Sequence, residues 1–361
     1  MNKVVKTIGV LSIASLVSTS AFSQITISGY AEVGFITGSA DGSRGTATSK
    51  GLGSEFLVTV AGKGTMTNGW TYSGYQNFDT DEVGNGRDVA NSNPMTTRAL
   101  ELSPSKDFKL FYTYDGVYGG EIARTAVPTV TERAVDMTGQ STLAEFIDVT
   151  SGGHAVGFDV LNVGPAGRLS VAYNPNLDAT QSQTSDRVYA ATNYVTGGRN
   201  TASGYSIGYS VTPGPIKVAL GYTRIEDTAT AASVDPTSKT LGVTYTASPF
   251  AVGAQRTINS DGRKINQETP FKDQVDTISA TFAASKEFTL GAAYSKMERE
   301  VPASANGPDT KVMQFVAAYN LGPVVASVSY EDAKDKNSGG NTVSIAGIDS
   351  QLAKIKVKAN F

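Results

Sequence analysis

Cysteine is missing from all 361 residues. Its absence excludes disulfide staples, thiolate metal sites and a thiol-linked lipid anchor. Histidine and tryptophan occur once each, so imidazole chemistry has only His154 to draw on. A basic surplus is missing as well: 30 Lys and Arg against 33 Asp and Glu give a formal charge of −3, which argues against nucleic acid as a partner. No apolar run is long enough for a membrane helix, and mean hydropathy is slightly polar, at −0.16. What the chain does have is 38 Gly, 16 Tyr and 14 Phe, a bias that suits strands, tight turns and aromatic girdles.

The N-terminus reads as an address. Lys3 and Lys6 form a charged region, residues 8–17 are a short apolar run, and residues 18–24 are small and polar. Ala21 and Ser23 supply small side chains at the minus-three and minus-one positions, so residues 1–23 are expected to be a cleaved signal peptide. The residues from Gln24 to Phe361 then form one exported domain.

Along that domain the dominant signal is alternation, in segments of about ten residues, the length a tilted strand needs to cross a bilayer. Ile25, Ile27, Ala31, Val33 and Phe35 share one face, while Thr26, Ser28, Tyr30 and Glu32 share the other. At the far end Ala353, Ile355, Val357, Ala359 and Phe361 oppose Lys354, Lys356, Lys358 and Asn360. Ile216, Val218, Leu220 and Tyr222 repeat the pattern, as do Leu241, Val243 and Tyr245, and Phe288, Leu290, Ala292 and Tyr294. Strands of a soluble sandwich are shorter, typically about five or six residues.

The connections alternate in length. Short polar turns are expected at 65–69, 103–107, 164–167, 212–215, 248–250, 285–287 and 321–323, rich in residues that preset or tolerate turn dihedrals. Long loops are expected at 38–50, 79–97, 115–153, 174–203, 226–237, 259–275, 299–308 and 332–346. Seven short turns between eight long loops imply about sixteen antiparallel strands with both ends on one rim. The fold class is therefore all-β: a transmembrane, antiparallel, up-and-down β-barrel following a signal peptide. About sixteen strands leave an aqueous channel, whereas about eight would be filled by side chains.

Three stretches carry a family resemblance. The start, Gln24-Ile25-Thr26-Ile27-Ser28-Gly29-Tyr30, resembles the first strand of the general porins of Gram-negative bacteria, and Thr67-Asn68-Gly69-Trp70 resembles their first periplasmic hairpin. The end, residues 355–361, is similar to their terminal strand, which closes on Phe and is read by the barrel-assembly machinery. The resemblance implies an outer-membrane porin: a homotrimer whose water-filled channels pass small hydrophilic solutes and ions by passive diffusion. It also implies that the longest loop, 115–153, folds into the lumen as a constriction.

Candidate site residues follow from parity, position and that resemblance. Glu132, Asp136, Glu145 and Asp148 are the acidic side of the constriction; Arg98, Lys109, Arg168, Lys217 and Glu55 are the charged pore wall; Phe361 is the assembly signal. Arg98 occupies a basic-wall position of the family, yet strict alternation puts it on the face of Leu100 and Leu102, so it reaches the lumen only through a bulge. The loop acids lean ion selectivity towards cations. Outer-membrane lipid and lipopolysaccharide are expected partners, bridged by divalent ions at loop acids such as Asp79, Asp81 and Glu82, or Asp332 and Asp335. No resident metal or cofactor is expected. Alternative readings are a substrate-specific channel, marked by a track of lumenal aromatics, and an adhesin or structural protein anchored by its barrel. An enzyme is disfavoured, because a hydrolase needs a base such as histidine within reach of a nucleophile, and the single His154, at a loop end before the strand Ala155 to Val163, has Ser151 near it only along the chain.

Overall fold

The computed structural model describes residues 24–41, 47–80, 95–114, 116–124, 127–130, 149–150, 154–175, 202–227, 235, 237–260, 272–300, 309–336 and 348–361. Sixteen strands dominate them. In chain order they are β1 (Gln24–Asp41), β2 (Ala47–Thr65), β3 (Thr71–Thr80), β4 (Met95–Ser105), β5 (Phe108–Tyr114), β6 (His154–Leu161), β7 (Arg168–Asn174) and β8 (Ala202–Val211). The second half adds β9 (Ile216–Asp227), β10 (Thr237–Ala247), β11 (Phe250–Ser260), β12 (Lys272–Ala283), β13 (Phe288–Glu300), β14 (Thr310–Asn320), β15 (Val324–Lys336) and β16 (Ile348–Asn360). Each pairs antiparallel with its sequence neighbours, and β1 pairs with β16 to close the barrel.

Closure is complete at the short-turn rim. The Phe361 N–H donates to the Gly29 carbonyl and the Gly29 N–H donates to the Phe361 carbonyl, both at 3.0 Å. The Phe361 ring stacks on Phe56 with centroids 5.8 Å apart. In lipid this matters because an unpaired strand edge has no water to bond.

Side chains sort by parity. Large apolar residues lie outward and exposed, among them Ile27, Val33, Leu100, Leu220, Phe315 and Ile355. Inward positions carry small or polar residues such as Thr113, Ser170, Ala172, Ser206, Ala219 and Ser295, all fully buried. Tyr205 and Tyr222 pack 6.1 Å apart, Phe250 and Phe282 4.8 Å, and Phe288 and Tyr319 6.4 Å; these outward rings suit the membrane–water interfaces.

Several short turns place glycine at positive φ, where a Cβ would be strained: Gly69 at 86° and Gly322 at 81° are two. The strands overrun the expected loops. Pairing of Gly38 with Ser49, Ser39 with Thr48 and Ala40 with Ala47 confines the first connection to 42–46, instead of 38–50. The hydrogen-bond ladder continues beyond the apolar band, where Ser, Thr and Gly no longer advertise alternation. Residues 1–23, the expected signal peptide, lie outside the described residues.

Candidate functional site: the barrel lumen

Small inward side chains make room for main chain inside the barrel. The connection between β5 and β6 enters the lumen, where its described residues 116–124 and 127–130 lie along the inner wall from β5 towards β13. Its entry is anchored by Tyr118, which stacks on Phe111 at 4.1 Å and donates its hydroxyl to Glu101 Oε1 at 3.0 Å. Burial, followed by the Glu101 carboxylate, holds the Tyr118 phenol protonated well above its usual range. A 3-10 turn, Gly119–Ala123, comes next. The N–H of Gly119 donates to Ser170 Oγ at 2.7 Å, and that of Gly120 to Ser206 Oγ at 3.1 Å.

Further along, wall side chains bind loop carbonyls. Gln255 Nε2 donates to the Arg124 carbonyl at 2.8 Å, and Ser279 Oγ donates to the Pro128 carbonyl at 2.8 Å. Arg124 is tied back to Glu121 at 2.7 Å. The fit depends on glycine. A Cβ on Gly208 would lie 2.1 Å from the Gly119 carbonyl oxygen, and one on Gly291 2.3 Å from Val130 Cγ2.

Below the anchor, two acids are held against the wall by cations. Lys109 Nζ lies 3.2 Å from Glu101, and Arg168 lies 2.8 Å from Asp159 while also donating to the Val117 carbonyl at 3.2 Å. A different arc, β16–β1–β2, carries long charged side chains. Lys356 pairs with Glu32 at 2.6 Å, the Lys358 ammonium sits 3.3 Å over the Tyr30 ring, and the Tyr30 hydroxyl donates to Glu55.

Among the expected wall residues, Lys109, Arg168, Lys217 and Glu55 point inward, as their pairing with Asp159, Ser210, Thr244 and Glu32 requires. Arg98 does not, and this corrects the expectation. It pairs regularly with Gln76 and Tyr114, the irregularity in β3 falls only after Gln76, and alternation therefore keeps Arg98 on the outward face of Leu100. Its guanidinium lies 4.4 Å over the Tyr114 ring. His154 is outward too, with Nδ1 2.6 Å from the Tyr112 hydroxyl and its ring tilted against Tyr114. Glu132, Asp136, Glu145 and Asp148 lie outside the described residues.

Sequence reasoning missed the anchor and underused the last strand. Nothing about Tyr118 stood out beyond the double glycine after it. The alternating lysines of β16 were legible as inward but not as partners of β1, since that needs the closing register. Among the described residues no group of three or more His, Cys, Asp or Glu converges as metal ligands would, and no helix is long and apolar enough to cross a membrane.

A closed, outwardly apolar and inwardly polar barrel of sixteen strands, with a loop laid inside it, defines an outer-membrane channel. A family model described as Gram-negative porin matches residues 10–338, and the chain belongs to that family. No curated protein matches it in sequence. Solved structures match over almost the whole length. The anion-selective porin from Comamonas acidovorans superposes with a TM-score of 0.66 at 11% identity, covering 94% of this chain and 99% of that one. A loop-deletion mutant of OmpT, an outer membrane protein of Vibrio cholerae, gives 0.62 at 12% identity, covering 94% and 99%. A mutant of the Rh. blastica porin gives 0.58 at 13%, covering 94% and 100%. At these identities the likeness is one of fold. The protein is an outer-membrane porin.

Proposed function

We propose that the channel passes small hydrophilic solutes and ions by passive diffusion, narrowed where the loop 115–153 crosses the lumen. The observation that carries this reading is the path of 116–124 and 127–130, bound by hydrogen bonds to Ser170, Ser206, Gln255 and Ser279 on the inner wall. Glu132, Asp136, Glu145 and Asp148 continue that loop as its acidic side, and Lys354, Lys356 and Lys358 supply basic wall. Fixed charges of both signs across a pore order its water and disfavour apolar solutes. A substrate-specific channel would want a track of inward aromatics. Here Tyr75, Phe111 and Tyr118 gather in one cluster at the loop's entry, which suits anchoring.

The same reading makes residues 1–23 a cleaved signal peptide and Phe361 the signal read by the assembly machinery. It makes the working form a homotrimer in contact with lipopolysaccharide, through divalent ions at surface acids. Catalysis has no part in it, and His154, turned outward between two tyrosines, needs none.

The test is planar-bilayer recording of the purified protein, compared with Glu132→Gln, Asp136→Asn and Glu145→Gln. Discrete channels are expected, with conductance or reversal potential altered in at least one variant. If channels open and all three variants behave as wild type, this loop is not the constriction.

A further inference from the structure

The lumen's fixed charge is unevenly distributed along its length. Lys63, Lys109, Arg168, Lys217 and Lys358 all point inward, and each lies among the three residues of its strand nearest the short-turn rim. Asp159 is the one inward acid in the same zone among the described residues, with Glu101 a step further from the rim. Other inward positions at this end are uncharged, such as Ser28, Ser73, Ser210, Thr244, Thr281 and Ser327. On the short turns Lys106 and Lys286 are each followed by an acid, Asp107 and Glu287, so the turns themselves are balanced.

Both acids are turned into the wall while their cations face the water. The Asp159 side chain is 1% exposed against 30% for Arg168, and Glu101 is 19% exposed against 29% for Lys109. Among the described residues Lys63 and Lys217 have no ion-pair partner, and Lys358 rests on a tyrosine ring. Lys109, Arg168 and Lys217 stand on alternate strands, β5, β7 and β9, so their Cα atoms recur about every 10 Å. That spacing is about one Debye length at physiological salt, so their fields overlap in the water between them.

We infer that the short-turn mouth of this channel is an anion-collecting vestibule, and that Lys63, Lys217 and Lys358 bias the pore towards small anions bearing carboxylate or phosphate groups. The inference rests on the diffusion reading and gives it a substrate class. Its sign is opposite to the one suggested by the four loop acids. The two can coexist, because a cation-lined mouth raises the local concentration of anions whatever lies further in.

The experiment measures the reversal potential of the full chain in planar bilayers under a potassium chloride gradient. The triple variant Lys63→Gln, Lys217→Gln, Lys358→Gln is compared with wild type, with outward Lys311→Gln as the control. The anion-to-cation permeability ratio is expected to fall roughly threefold in the triple variant, a change of about half a kT per unit charge in lumenal potential, since anions and cations respond oppositely, and to stay at the wild-type value in the control. A heat-dependent gel shift verifies that the variant barrel has folded, and Lys217→Gln alone, expected to shift the ratio in the same direction, serves if it has not. An unchanged ratio in a folded, conducting variant overturns the inference. Absence of channels in wild type would instead strike the diffusion reading itself.

Discussion

Two stretches of inner wall, β7 to β13 beneath the loop and β15 round to β2 away from it, follow the same alternation with different side chains. Under the loop the inward residues include Ser170, Ala172, Ser206, Gly208, Ala219, Gly253, Ser279 and Gly291; on the other arc they include Glu331, Lys354, Lys356, Lys358, Tyr30, Glu32 and Glu55. A peptide chain can lie against a wall only where side chains are short, and it stays only if its N–H and C=O groups find partners. Ser170, Ser206, Gln255 and Ser279 provide them. None of the described loop residues lies against the second arc, which can give its inward positions to charge. Size, therefore, places the loop; long charged side chains fill the second arc and, on the loop's own wall, include Arg168 and Lys217 at the short-turn end.

The largest effect should come from breaking the bed. Gly208→Val puts a Cβ where the Gly119 carbonyl and Ile122 now sit, at 2.1 and 2.5 Å. Overpacking of this kind costs about 1–3 kcal/mol, and the loop can relieve it only by moving towards the pore axis. Single-channel recording should show lower and noisier conductance, with the barrel's gel shift intact. Wild-type conductance would mean that the loop does not depend on this wall.

A smaller effect is expected on the charged arc. Lys356→Gln leaves Glu32 without the ammonium now 2.6 Å away, and the two side chains are only 11% and 7% exposed. Removing one partner of a buried pair is strongly destabilising; beside a water-filled lumen we expect about 1–3 kcal/mol, read as a lower denaturant midpoint for loss of the folded gel band. Arg256 and Asp276 form the contrasting pair, exposed on the outer face at 57% and 38%. Arg256→Gln should move the midpoint far less, because water screens an exposed pair.

Parity made most of this legible before any coordinates, because in a strand the period is two and one error flips every side chain. Lys109, Arg168, Lys217 and Glu55 were placed by that rule alone. It could not say which charges meet: Lys356 with Glu32 needs the register of closure between β16 and β1, and Tyr30 with Glu55 needs that of β1 on β2. Nor could it find Tyr118, whose role comes from a ring on Phe111 and a hydroxyl on Glu101, contacts with no periodicity. Strand ends were misjudged for a related reason. Polar ladders such as 38–40 against 47–49 look like loop in sequence although their backbones pair.

Arg98 gives the finest test of the contrast between faces, because resemblance and alternation disagree about it. Resemblance puts it on the pore wall; alternation puts it outside, and the structure sides with alternation, with Arg98 opposite Gln76 and Tyr114 and its guanidinium 4.4 Å over the Tyr114 ring. An outward cation over a tyrosine contributes about 0.5–1 kcal/mol, so Arg98→Gln should lower the denaturant midpoint only slightly. Its effect on the lumen should be nil, since the barrel wall separates it from the permeating ion. Conductance and reversal potential are expected to match wild type in the same salt gradient that distinguishes the Lys63, Lys217 and Lys358 variant. A shift comparable to that variant's would require β4 to slip by one residue, turning Leu100 and Leu102 into the pore and Glu101 into lipid. Glu101 would then lose Lys109, Ser73 and Tyr118 together, and with Tyr118 the loop would lose its anchor.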